Sequence, residues 1–89
     1  MQIMYCYFNM FDLTSSVMII PEDTQKAEAI FTGTFEEVCE FMATEYQMNN
    51  YQKIMLAGPY ASAVKDRIYT YSHTNFNEGK QLNIEIVEE

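Results

Sequence analysis

Thr34 and Glu37 set the plan of this chain. A Thr followed three residues later by Glu, ahead of an apolar stripe, forms a capping box: hydroxyl and carboxylate satisfy backbone N–H groups that a helix start leaves unpaired. Beyond it Phe35, Val38, Cys39, Met42 and Tyr46 recur at three- and four-residue spacing. The spacing predicts a helix starting near Phe35 with that stripe buried and with Glu36, Glu37, Glu40, Thr44 and Gln47 facing largely outward. Asn49-Asn50 is the expected stop, because Asn tolerates the left-handed cap conformation.

Upstream of that helix the apolar runs are of strand length. Ile3 to Phe11 is apolar on both alternating faces, with Ile3, Tyr5 and Tyr7 on one and Met4, Cys6 and Phe8 on the other. This predicts a central strand covered on both sides. Asp12 to Ser16 supplies turn formers, and Val17 to Ile20 is stopped by Pro21, so the two runs read as an antiparallel hairpin. A polar turn over Glu22 to Lys26 leads to a short strand at Glu28 to Thr32.

Downstream, Lys53 to Ala57 holds the run Ile54-Met55-Leu56, as in a buried parallel strand. Gly58-Pro59 turns the chain, with Pro59 suited to the first position of a second helix, where a missing donor costs nothing. Tyr60, Val64, Ile68 and Tyr71 supply that helix's stripe. Asn75, Asn77 and Gly79 mark a loop, and Leu82, Ile84 and Ile86 alternate with polar residues in a final half-covered strand. Glu88 and Glu89 are expected to fray.

The predicted order is strand, strand, strand, helix, strand, helix, strand: an α/β chain with a five-stranded mixed sheet. Right-handed crossovers make the last three strands parallel beside the hairpin. With 89 residues there is room for one core, so residues 1–89 are expected to form a single domain, and a hydrophobic share of 48% is ample to fill it.

In element order this resembles the core of the ribonuclease-H-like fold, a three-stranded antiparallel unit continued by alternating helices and strands. The resemblance implies a metal-binding acid in the first strand, others on the first helix and at the end of the fourth strand. Here the first strand reads Ile3-Met4-Tyr5-Cys6-Tyr7-Phe8 and the fourth ends Leu56-Ala57-Gly58, with no carboxylate at either place. Asp12 lies beyond the strand, and only Glu36, Glu37 or Glu40 stand on the helix. Without convergent acids a divalent metal is not held for phosphoryl chemistry, so a non-catalytic protein is expected, with no cofactor and no metal.

Other chemistries find equally little. His73, the single histidine, falls near the end of the second helix, where a positive ring suits the dipole. A Cys-His nucleophile pair needs an exposed thiol, whereas Cys6 and Cys39 both sit among apolar neighbours. Two distant cysteines and one histidine lack the spacing of a zinc site. Gly58-Pro59 has neither the glycine run nor the Lys-Ser/Thr of a phosphate loop. Core thiols and no secretory signal pattern place the protein in a reducing compartment, the cytoplasm, although a disulfide between the two remains open. No apolar run approaches the ~20 residues that cross a bilayer.

Charge is the feature that bears most on function. Thirteen acids oppose five bases, a formal charge of −8, which disfavours phosphate backbones and anionic lipid and favours cationic partners. Glu36, Glu37, Glu40 and Glu45 lie in a stretch with no Lys or Arg between Thr34 and Gln52. Closely spaced carboxylates on a rigid helix imitate a nucleic-acid backbone and steer a basic surface toward them. Seven tyrosines exceed what a small core needs, and Tyr51, Tyr60 and Tyr69 are the candidate contact residues.

The expected function is therefore protein–protein binding by a small acidic regulator or inhibitor, in one version a viral or phage mimic of nucleic acid that blocks a basic nucleic-acid-binding protein, acting in the host cytoplasm. The partner-binding residues would be Glu36, Glu37, Glu40, Glu45, Tyr51, Tyr60 and Tyr69. One alternative is a structural subunit that self-assembles, as a homodimer, by pairing an exposed edge, either Leu82 to Val87 or Val17 to Ile20. Another is a metal-dependent nuclease on a degenerate ribonuclease-H-like scaffold, using a carboxylate such as Asp12 or Glu40.

Overall fold

A computed structural model describes residues 2–8, 14–21, 26–77 and 79–87 of the chain. The elements are β1 (Gln2–Tyr7), β2 (Ser15–Ile20), β3 (Glu28–Gly33), α1 (Phe35–Met48), β4 (Tyr51–Ala57), α2 (Ala61–Phe76) and β5 (Ile84–Val87). They form the expected five-stranded mixed sheet with two helices, in the expected order. Asp12, the polar turn at 22–25 and the last two glutamates lie outside the described residues.

The strands are arranged β3-β2-β1-β4-β5. β2 runs antiparallel to both neighbours, and β1, β4 and β5 run parallel to one another. β3, β4 and β5 thus share a direction, as the crossover rule requires, but the hairpin of β1 and β2 lies between β3 and β4. The edges are β3 and β5. The expectation of an edge at Leu82 to Val87 is met in part, by Ile84–Val87; Val17 to Ile20, the other candidate, is an interior strand paired on both sides.

Both crossovers travel the same way across the sheet, β3 over to β4 and β4 on to β5. With one handedness for both, the two helices land on one face. They do pack against each other, α1 over β2 and β3 and α2 over β4 and β5. Met4, Cys6, Val17, Ile54 and Leu56 point into this helix side and are buried, joined there by Val38, Cys39, Met42, Val64 and Ile68.

This corrects the prediction of a first strand covered on both sides. Ile3 and Tyr5 are only half-buried and Tyr7 is exposed, and among the described residues no helix crosses their face. Met55 on β4 shares that position. Apolar character on both faces of β1 and β4 is real, but the topology covers one of them.

Local boundaries follow the residues. At α1 the Thr34 hydroxyl accepts from the Glu37 N–H at 3.4 Å, and the Thr34 N–H donates to the Glu37 carboxylate at 2.9 Å, so the capping box is present. α2 begins at Ala61 with Tyr60 as its cap, which puts Pro59 before the helix and not at its first position. The reason is Gly58: its φ of +97° turns the chain tightly, and the Ala61 N–H donates to the Gly58 carbonyl. Asn75, expected in a loop, is helical and its amide donates to the Tyr71 carbonyl, so α2 ends only at Phe76. Leu82 precedes β5, packing against the core from outside the strand. Among the described residues no helix is long and apolar enough to cross a membrane.

Candidate binding groove between α1 and β3

β3 is the sheet edge beneath α1, and the seam between them is not closed. Phe41 projects from α1 outside the buried stripe and stacks on Phe31 of β3, ring centroids 4.4 Å apart and planes 4° from parallel. Around this pair Glu37, Glu40 and Thr44 of α1 and Tyr71 of α2 outline a shallow cavity of about 310 Å³. A second cavity of about 430 Å³ continues past Phe41 to Ile30, Ile19 and Tyr51, with Glu28 and Glu45 on its walls. Phe41 lines both, so the two cavities flank the Phe31–Phe41 stack as the two parts of a groove along the seam. Its floor is aromatic and aliphatic; its walls carry Glu28, Glu37, Glu40 and Glu45, and among the described residues no Lys or Arg lines either part.

Ile30 is 39% exposed at this edge, beside a register irregularity where β2 passes from Val17 to Met18. A bulge of this kind turns extra side chains toward one flank of an edge strand. Here it lets Ile30 and Phe31, neighbours in sequence, both serve the groove.

The acids differ in what they already touch. Glu37 closes the capping box while lining the groove. Glu45 accepts a 2.6 Å hydrogen bond from the Tyr51 hydroxyl, and burial, this bond and the Glu45 charge push the phenol well above its ordinary pKa. The pair is therefore a neutral phenol clamped on a carboxylate, a fixed wall and not a proton shuttle at neutral pH. Glu36 leaves the groove for α2 and meets Arg67 at 2.5 Å. Arg67 also lies over the Phe35 ring, 6.0 Å from its centroid.

Of the seven residues expected to bind a partner, the fold gathers Glu37, Glu40, Glu45 and Tyr51 at one groove. Tyr51 is only 8% exposed and offers a partner its wall position more than its ring. Glu36 is exposed but tied to Arg67. Tyr60 is half-buried against the core at the start of α2. Tyr69 is 42% exposed beside a separate cleft of about 210 Å³ that it shares with His73 and Lys80. Sequence reasoning missed Phe31, Phe41, Ile30, Glu28 and Tyr71. Phe41 carried a signal, a large apolar side chain off the 35/38/39/42/46 stripe.

Neither β1 nor β4, where the ribonuclease-H-like resemblance implies metal-binding acids, carries a carboxylate, and Met4, Cys6 and Leu56 there are buried. Among the described residues no three of His, Cys, Asp and Glu converge as metal ligands. Cys6 and Cys39 are free and buried. Burial pushes the Cys6 thiol up to about 11 against a lowering hydrogen bond with Ser15, and burial with the Glu36 charge pushes Cys39 up to about 12.

Comparison with known proteins gives no match to a family model, to a curated protein or to a solved structure. The chain is a small mixed-sheet α/β domain, and its likeness to the ribonuclease-H-like fold is one of element order.

Proposed function

We propose that this protein works by binding another protein, as a small regulator or inhibitor, and that the α1–β3 groove receives a segment carrying Lys or Arg among apolar residues. The observation that carries the reading is the pairing of apolar residues, Phe31, Phe41 and Ile30, with walls bearing four carboxylates and, among the described residues, no base. Apolar contact supplies most of the affinity in such a site, and charge supplies steering and choice of partner. A net charge of −8 extends the same preference over a longer range. A basic surface that ordinarily holds nucleic acid is one target of this chemistry.

The test is selection from a random peptide library, followed by anisotropy titration of the winners at low and high salt. Selected peptides are expected to combine basic and apolar residues, to weaken with salt, and to lose at least tenfold in affinity to Glu40→Lys and to Phe41→Ala. Winners without basic residues, or binding indifferent to both substitutions, would sink the proposal. If the target is a nucleic-acid-binding protein, the domain must also compete with nucleic acid for it.

A further inference from the structure

β3 is an edge strand, so along its outer side every second backbone N–H and C=O points away from the sheet. An extended segment laid against such an edge takes main-chain hydrogen bonds from it and turns alternate side chains to one face. The register irregularity beside Ile30 interrupts that row once. On the helix side an added strand meets the groove, because α1 starts two residues after β3 ends and packs back over it.

Along α1 three groove residues stand four apart: Glu37, Phe41 and Glu45. Residues at this spacing share one helix face and follow one another at about 6 Å along the axis. Both acids are held in place. The Glu37 carboxylate accepts from the Thr34 N–H at 2.9 Å, and the Glu45 carboxylate from the Tyr51 hydroxyl at 2.6 Å. Neither is ion-paired among the described residues, in contrast to Glu36 and Glu85. Between them Phe41 lies stacked on Phe31 of β3. The groove therefore presents carboxylate, ring, carboxylate at even steps, on side chains that lose little freedom when a partner arrives. Alternate side chains of an extended segment are about 6.6 Å apart, close to that step.

We infer that the groove, taken as the binding site proposed above and resting on that proposal, receives an extended segment of another protein paired along β3, with Lys or Arg, an apolar residue, and Lys or Arg again at alternate positions. Each base meets a fixed carboxylate, and the middle side chain meets the Phe31–Phe41 stack. The same pattern argues against a second copy of this chain as the occupant. Its bases are Lys26, Lys53, Lys65, Arg67 and Lys80, and no two of them stand four residues apart. Two β3 edges paired with one another would also bring Glu28 and the α1 acids of both copies together, and like charges across a strand pair are destabilising.

The probes are a labelled nine-residue peptide of Thr and Ser carrying Lys, Leu and Lys at alternate central positions, and its isomer with the same three residues four apart. Anisotropy titration with the unmodified protein is expected to show the alternating peptide binding at least tenfold more tightly. N-methylation of every second peptide amide is expected to abolish binding in one frame and spare it in the other, because only one edge of the peptide pairs with β3. Glu37→Gln and Glu45→Gln keep the hydrogen bonds to Thr34 and Tyr51 while removing the charges, and each is expected to weaken binding at least threefold. Asp66→Asn, the same charge change at an exposed position of α2, is expected to leave it as it was. Equal binding of the two peptides, a preference for the isomer, equal effects in the two methylation frames, or indifference to both glutamine substitutions would each overturn the extended occupant and leave the groove standing. Binding of neither peptide, when the library yields basic and apolar winners, overturns it as well; library winners without bases sink groove and occupant together.

Discussion

At the scale of single residues, three positions show how close surroundings constrain chemistry. Cys6 and Cys39 are held as neutral thiols, their pKa values raised from 9.0 to about 11 and about 12. A thiol whose folded pKa lies above its unfolded one binds more protons in the native state between the two values, so native stability falls as pH rises through that window. The melting temperature is expected to be insensitive to these groups below pH 9 and to drop between about 9 and 12, a loss that Cys39→Ala should reduce in a pH series of thermal melts. A flat profile through that window would contradict the assigned burial. Gly58 is the third position. Its φ of +97° disfavours any side chain, and a Cβ there would stand 2.7 Å from the Phe8 carbonyl oxygen. Gly58→Ala is expected to cost about 2 kcal/mol or more, since backbone cannot retreat as a side-chain end can, and urea denaturation reads it. The glycine at the strand end was visible in the sequence; that its neighbour would be Phe8 was not, because contact between residues so far apart along the chain is tertiary.

At the scale of elements, α1 does more than pack. Its capping box fixes where the helix starts, and the same Glu37 then forms part of the groove wall. Thr34→Ala is expected to cost about 1 kcal/mol of stability, and Thr34→Ser to restore most of it. Chemical denaturation of the three proteins decides this. Helix start and buried stripe were legible, because each rests on neighbours within four residues; the stop falls at Asn49 as expected, but with extended backbone (φ −134°) and its N–H on the Glu45 carbonyl, not in the left-handed cap expected. β3 was legible as a strand but not as an edge, and the groove exists only because an edge strand lies under α1. Phe31 and Phe41 are ten positions apart in sequence, and no local pattern announces that they stack. α2 was less well read at both ends: Gly58 delays its start past Pro59, and it runs through Asn75, whose side chain bonds back to Tyr71 within the helix.

At the scale of the whole molecule, the seam between α1 and β3 joins acids to aromatic rings, and on the other face of the sheet Lys53 and Glu85 pair with each other. Salt is expected to weaken partner capture at the groove.

The sequence by itself determined the α/β class, the order of the elements, the helix cap, the buried stripe of α1 and the excess of acid on that helix. All of these follow from spacing along the chain and from the chemistry of adjacent residues. Only the tertiary structure decided which apolar face of β1 is covered, which strands lie at the edges and which acids face a groove. The physical reason is the direction of the two crossovers: both move the same way across the sheet, so both helices fall on one side, and a strand written for two covers receives one.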